Sequence, residues 1–158
     1  TCSGIPRTEI VLTDHLCYHT IARISAGPTP PARMRLPKMA IAQPEQVRHF
    51  LVSMKLAVAS DRWQLVRRDK NLEDLERLGM THSDVVCVLQ GMTVDDYCDG
   101  PLPDDKGRPK EWWVFGPVYA GETLYVKMCL NRFGTVECLS FHLAQTPMTY
   151  PLRGGGLS

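Results

Sequence analysis

The stretch 122–144, ETLYVKMCLNRFGTVECLSFHLA, limits what this chain can fold into more than any other. Leu124, Val126, Met128 and Leu130 alternate with Thr123, Tyr125, Lys127 and Cys129. After Asn131-Arg132-Phe133-Gly134 the alternation resumes, with Leu139, Phe141 and Leu143 set against Cys138, Ser140 and His142. Period-two patterning marks strands with one face on a core, and Asn and Gly at the joint suit a tight reversal. With Arg132 and Phe133 as the turn, Val126 faces Leu139 and Leu124 faces Phe141. The same register sets Tyr125 opposite Ser140, Lys127 opposite Cys138 and Thr123 opposite His142. A one-residue slip would mix the two sets, so the pattern argues against it. Tyr125, Lys127, Ser140 and His142 are therefore expected on one surface of a sheet.

The rest of the chain supplies helices to cover the other surface. Val47, Phe50, Leu51, Met54 and Val58 form one buried stripe of a helix that opens at Pro44 and ends near Ser60-Asp61. Trp63 to Arg67 reads as a short strand. Asn71, Thr81 and Thr93 each precede an acidic residue three positions on, which predicts three short helix starts. Gly79 closes the first of these and Gly91 the second. Gly100 to Glu111, dense in proline, glycine and charge, reads as a loop, and Trp112 to Phe115 as a strand. The expected fold class is α+β, a small antiparallel sheet packed against several helices.

At 158 residues there is room for one domain with an ordinary core. The proline-rich stretch before Met39 predicts a boundary there. Residues 1–38 are an extension or an arm that adds a strand or meets a partner, and residues 39–158 are the domain. A net charge of +1 provides no global field for a polyanion, so any such recognition is local. No run of about 20 apolar residues suggests a membrane helix. The first residues lack the pattern of a secretory signal, and the expectation is a cytoplasmic location.

The six cysteines make no CxxC pair and read as reduced, mostly buried thiols. No GxGxxG, Walker, HExxH or GxSxG signature is present, and no cofactor or metal is expected. The nearest metal-like fragment is Asp14-His15-Leu16-Cys17-Tyr18-His19.

The hairpin cluster has the chemistry for RNA cleavage. Histidine changes charge near neutral pH and serves as general acid or base, here His142. Tyr125 offers a hydrogen bond to a phosphate oxygen and Lys127 a compensating charge, while Ser140 is placed to orient the imidazole. A base takes the 2′-hydroxyl proton, cations stabilise charge growing at phosphorus, and an acid protonates the departing 5′-oxygen. Trp112, Trp113 and Tyr97 are candidates for stacking with unpaired bases, and Arg67, Arg68, Lys106 and Arg108 for contacts to the phosphate backbone. The plainer account is that Tyr and His are interior groups and the lysine ordinary edge protection. For the adjacent tryptophans, one belongs to the core and the other covers the opposite face.

Several segments together carry a family likeness. LGMTHSDV, VLQGMTVDDYCDGP, EWWVFG, GETLYVKM and VECLSFH occur in that order after the Pro44–Ser60 helix and NLEDLERLG. Over most of residues 44–150 the chain resembles a divergent branch of the MqsR-like toxins, the motility and quorum-sensing-regulator toxins of bacterial toxin–antitoxin pairs. The resemblance implies a compact fold of the RelE type, metal-independent cleavage of messenger RNA, and a cognate antitoxin that binds the toxin. It also implies working positions that here carry Cys98, Trp113, Tyr125 and His142. Of these only the tyrosine matches the better-known branch, which has lysine, glutamine and lysine at the others. The other reading is a non-catalytic protein-binding domain on the same scaffold.

Overall fold

Six strands and three helices make up residues 40–154, which are the residues described by the computed structural model. The Asp14–His19 fragment and the whole of the expected arm lie outside them. Helix α1 spans Pro44–Ala59 and buries Val47, Phe50, Leu51, Met54, Ala57 and Val58, the expected stripe with Ala57 added. Gln46 reaches back to accept from the Gln43 backbone N–H at 2.9 Å, satisfying one donor that the first turn leaves open.

Strand β1 (Trp63–Leu65) follows, then α2 (Asp69–Arg77), α3 (His82–Gly91), a 3₁₀ turn (Val94–Asp96), β2 (Tyr97–Pro103), β3 (Glu111–Phe115), β4 (Val118–Tyr119), β5 (Glu122–Leu130) and β6 (Val136–Leu143). The sheet order is β1-β6-β5-β3-β2, with β4 paired to β5 off this path. The α+β class is the expected one, but the sheet is mixed, since β1 runs parallel to β6. A strand of three residues has no patterning that would announce its direction.

Thr81 caps α3 through Asp84, which accepts from the Thr81 N–H at 2.7 Å. The same exchange between Thr93 and Asp96 survives, yet only a single 3₁₀ turn follows, because Tyr97 already enters β2. Helix α2 begins at Asp69, ahead of the expected start, which leaves Asn71 inside the helix and available for another task. The expected loop after Gly100 is also corrected, because its first residues belong to β2. Pro101 and Pro103 are tolerated there because β2 bonds on one side only.

The inner face of the sheet packs under α1. Phe50 stacks on Trp113 with ring centroids 4.8 Å apart and on Phe115 at 5.9 Å. Leu124, Val126, Met128, Val136, Cys138 and Phe141 complete this face. Each fully buried aliphatic or aromatic side chain here contributes about 1.5–3 kcal/mol relative to exposure.

The β5–β6 register corrects the simple hairpin. The turn is longer than expected, with Leu130 paired to Val136, Cys129 to Glu137 and Met128 to Cys138. Leu139 is then left without a partner, and the ladder continues with Lys127 opposite Ser140, Tyr125 opposite His142 and Leu124 opposite Leu143. Such a bulge switches the strand's phase. Cys138 therefore lies in the core, in place of Leu139, while Phe141 and His142 keep the expected faces.

Candidate functional site

The outer face of the sheet carries the candidate residues Tyr125, Lys127 and His142. Tyr125 and His142, paired across β5 and β6, stack with centroids 5.3 Å apart and ring planes inclined by 14°. Both are part-buried. Nδ1 of His142 lies 2.9 Å from the carbonyl oxygen of Leu143. A carbonyl only accepts, so in this contact Nδ1 carries the proton and Nε2 is the acceptor of the neutral ring. Leu143 and the Tyr125 ring orient the imidazole. Ser140, expected to do so, is buried two pairs along the ladder, opposite Lys127.

Burial, with Asp99 and Cys98 nearby, raises the Tyr125 phenol above its ordinary value. It remains a protonated donor at neutral pH. Burial likewise pushes the Cys98 thiol up to about 12. Cys98 therefore offers neither a thiolate nor a cation at the position where the resemblance implies a working residue.

A cleft of about 490 Å³ opens beside His142 and is lined by Arg67, Arg68, Asp69, Lys70 and Asn71. Arg67, Arg68 and Lys70 outnumber the one carboxylate, Asp69, and line the cleft together with the imidazole, a net positive set that suits a phosphate group. What holds them there is Asn71. This side chain is 1% exposed, and its amide donates to the carbonyls of Val66 at 2.9 Å and Leu139 at 3.2 Å. Its oxygen accepts from the Phe141 N–H at 3.1 Å, and Asp74 accepts from the Leu143 N–H at 2.9 Å. These polar side chains of α2 take the place of a neighbouring strand along β6, so the first turn of α2 is fixed against His142.

Lys127 shares the face, but its ammonium lies over the Trp112 ring at 5.8 Å. The ladder sets Trp112 beside Cys129, further along than Tyr125, so Lys127 leans away from the stack. Lys110 lies over the same ring at 5.8 Å and pairs with Glu137. Arg108 is held by Asp104 through two hydrogen bonds, at 2.8 and 2.7 Å, and Asp104 also accepts from Trp112 Nε1 at 2.9 Å. These bonds hold the Asp104 carboxyl well below the usual carboxylate range. Of the two expected loop cations, Arg108 is therefore committed within the protein, while Lys106 is exposed and makes no ion pair among the described residues.

The aromatic residues divide across the sheet. Trp112 belongs to the outer face and Trp113 to the core. The remaining exposed edge of Trp113 borders a cleft with Glu45 and Glu111, whose charges oppose phosphate, so an RNA-stacking role for Trp113 does not suit its place. Tyr97 is buried, accepts from the Ala42 N–H at 3.1 Å, and offers no ring to a base. The sequence marks Asn71 only as a helix start and nothing local links it or Lys70 to His142, which lies about seventy residues further on.

Among the described residues no three His, Cys, Asp or Glu side chains converge as a metal-ligand set. Also among them, no helix is long and apolar enough to cross a membrane. Comparison of the chain with known protein families and with curated proteins gives no match.

Proposed function

We propose that this protein is a metal-independent endoribonuclease of the toxin class, cleaving messenger RNA and held in check by a cognate antitoxin. The observation that carries the reading is the part-exposed Tyr125–His142 stack beside the Arg67, Arg68 and Lys70 cleft. The helices on one side of a small sheet are compatible with the RelE-type scaffold that the family likeness implies.

In this reading Nε2 of His142 exchanges the proton. The 2′-oxygen bonds to phosphorus as its proton leaves, the bond from phosphorus to the 5′-oxygen breaks, and that oxygen gains a proton. The products are a 2′,3′-cyclic phosphate and a 5′-hydroxyl. Arg67, Arg68 and Lys70 balance the charge growing on the phosphoryl oxygens, and the Tyr125 hydroxyl donates to one of them. Lys127, turned toward Trp112, assists at the adjoining backbone.

The test is induced expression of the wild type and of His142→Ala, followed by growth measurement and mapping of RNA ends. Growth arrest with new 5′-hydroxyl ends, absent in the variant, is the expected result. Equal cleavage by both proteins would sink the role given to His142. A second reading, a non-catalytic protein-binding domain, draws on Val52 and Leu56, which are 59% and 62% exposed on one side of α1. Binding of the antitoxin without any RNA cleavage by the free protein would favour it.

A further inference from the structure

The two rings of the Tyr125–His142 stack border unlike cavities, His142 one and Tyr125 the other. On one side is the cationic cleft of Arg67, Arg68 and Lys70, with His142 in its wall. On the other, a cavity of about 320 Å³ is bounded by Tyr125, Val114 and Leu102 of the sheet, by Ile41, and by Met148 and Pro151 of the C-terminal segment. That segment is anchored where Tyr150 donates to the Gly116 carbonyl at 2.9 Å. A Cβ at position 116 would lie 2.7 Å from that hydroxyl, so the close approach depends on glycine.

The second cavity has a mixed lining, in which the side chains of Ile41, Leu102, Val114, Met148 and the prolines are apolar and Asp99, Thr149 and the Tyr125 hydroxyl are polar, with Cys98 held as a neutral thiol. Asp99 is exposed, and among the described residues it makes no ion pair. One of its oxygens, Oδ1, accepts from the Gly100 N–H at 2.8 Å, which leaves Oδ2 for a ligand. A carboxylate here repels phosphate and accepts from an N–H. The cavity thus suits a flat group with an apolar face and a donor on its edge.

We infer that this cavity takes one unstacked nucleobase next to the phosphate bound at His142, and that Asp99 selects bases carrying an exocyclic amino group. The inference rests on the ribonuclease reading and names a subsite for it. Adenine, cytosine and guanine all present an amino donor to the single available oxygen. Uracil's ring N–H is flanked by two carbonyl oxygens, which oppose an approaching carboxylate. With Oδ1 sharing the Gly100 N–H, Oδ2 is the less engaged oxygen, and the contrast that Asp99 sets is between uracil and the three amino-bearing bases.

Binding separates this idea from catalysis. Fluorescent 2′-O-methyl uridine hexamers, uncleavable because the attacking hydroxyl is blocked, are titrated with the full chain. One central position carries adenine, cytosine, guanine or uracil. A single amino-bearing base is expected to tighten binding about fivefold or more, as one hydrogen bond to a charged acceptor allows. Asp99→Asn, which retains the hydrogen bond from Gly100, is expected to reduce that preference below about twofold. Thr149→Trp places an indole at the cavity and is expected to abolish the preference while the all-uridine hexamer still binds. Equal affinity for all four hexamers with wild type would leave the cavity to some other occupant and overturn the proposal, as would a preference that survives both variants. A preference seen alongside unchanged cleavage by His142→Ala would retain the base site and reject the catalytic assignment.

Discussion

The two faces of one sheet are made by the same strands and do opposite work. On the inner face, Val126, Met128 and Phe141 are sealed under α1, and the aromatic rings of Phe50, Trp113 and Phe115 stack on one another. On the outer face, Tyr125, Lys127 and His142 stand between those same residues and stay part-exposed, flanked by the Asp104–Lys110 loop and the C-terminal segment. Packing that excludes solvent stabilises the first set, whereas the second set keeps partial access to solvent. Neighbouring residues of a strand should therefore respond very differently to the same truncation.

The sharpest contrast is between adjacent positions of β6. His142→Ala should lower RNA cleavage by about 10²–10⁴-fold, the usual contribution of a positioned acid–base group, with little change in melting temperature. Phe141→Ala should lower stability by about 3–5 kcal/mol in a denaturant titration, because it opens a cavity in the core. If both variants were destabilised alike, the outer face would be structural too, and the division would fail.

Asn71→Ala lies on the boundary between the two. It leaves the part-buried carbonyls of Val66 and Leu139 and the buried N–H of Phe141 without their partner, and the buried orphan alone costs about 1–3 kcal/mol. Unlike Phe141→Ala, it should also weaken RNA binding, because it frees the helix start that carries Lys70. A smaller effect is expected for Arg67→Ala with Arg68→Ala. The salt dependence of binding to single-stranded RNA should flatten by about 0.7 in slope for each phosphate no longer engaged, with the fold intact. An unchanged slope would remove these arginines from the interface.

The smallest effect concerns acid. The Asp104 carboxyl is held below its ordinary value by Arg108, Trp112 Nε1 and nearby backbone N–H groups. A carboxyl depressed on folding stabilises the native state fully above its unfolded value of about 4 and ceases to do so as pH falls. Asp104→Asn should be less stable than wild type at neutral pH, and the gap should narrow in thermal melts taken progressively below about pH 4.

Much of this arrangement is legible in residue order, and the exceptions have physical causes. The α1 stripe, the Thr81 cap and the shared face of Tyr125 and His142 follow from local periodicity, which short sequence windows carry. The bulge at Leu139 has a readable sign. Val136 and Cys138 belong to one apolar phase and Phe141 and Leu143 to the other, but counting Cys138 as polar hides the break. β2 escapes a reading of the sequence because its prolines suggest a loop, and only the sheet order reveals that its outer side needs no donors. The choice between Trp112 and Trp113 cannot be made locally, since alternation says that they differ and not which one faces α1. The Arg67–Asn71 run takes its meaning from a strand far along the chain.

The unpaired residue in β6 has a further consequence for how this hairpin can change length. Deleting Leu139 would leave Cys138 opposite Met128 and Ser140 opposite Lys127, giving a regular ladder that keeps the Phe141 ring inward and the imidazole outward. A single deletion at the bulge should therefore leave soluble protein, whereas a single insertion between the bulge and His142 turns the end of the strand over. A library of length variants sorted for soluble protein would display that asymmetry directly.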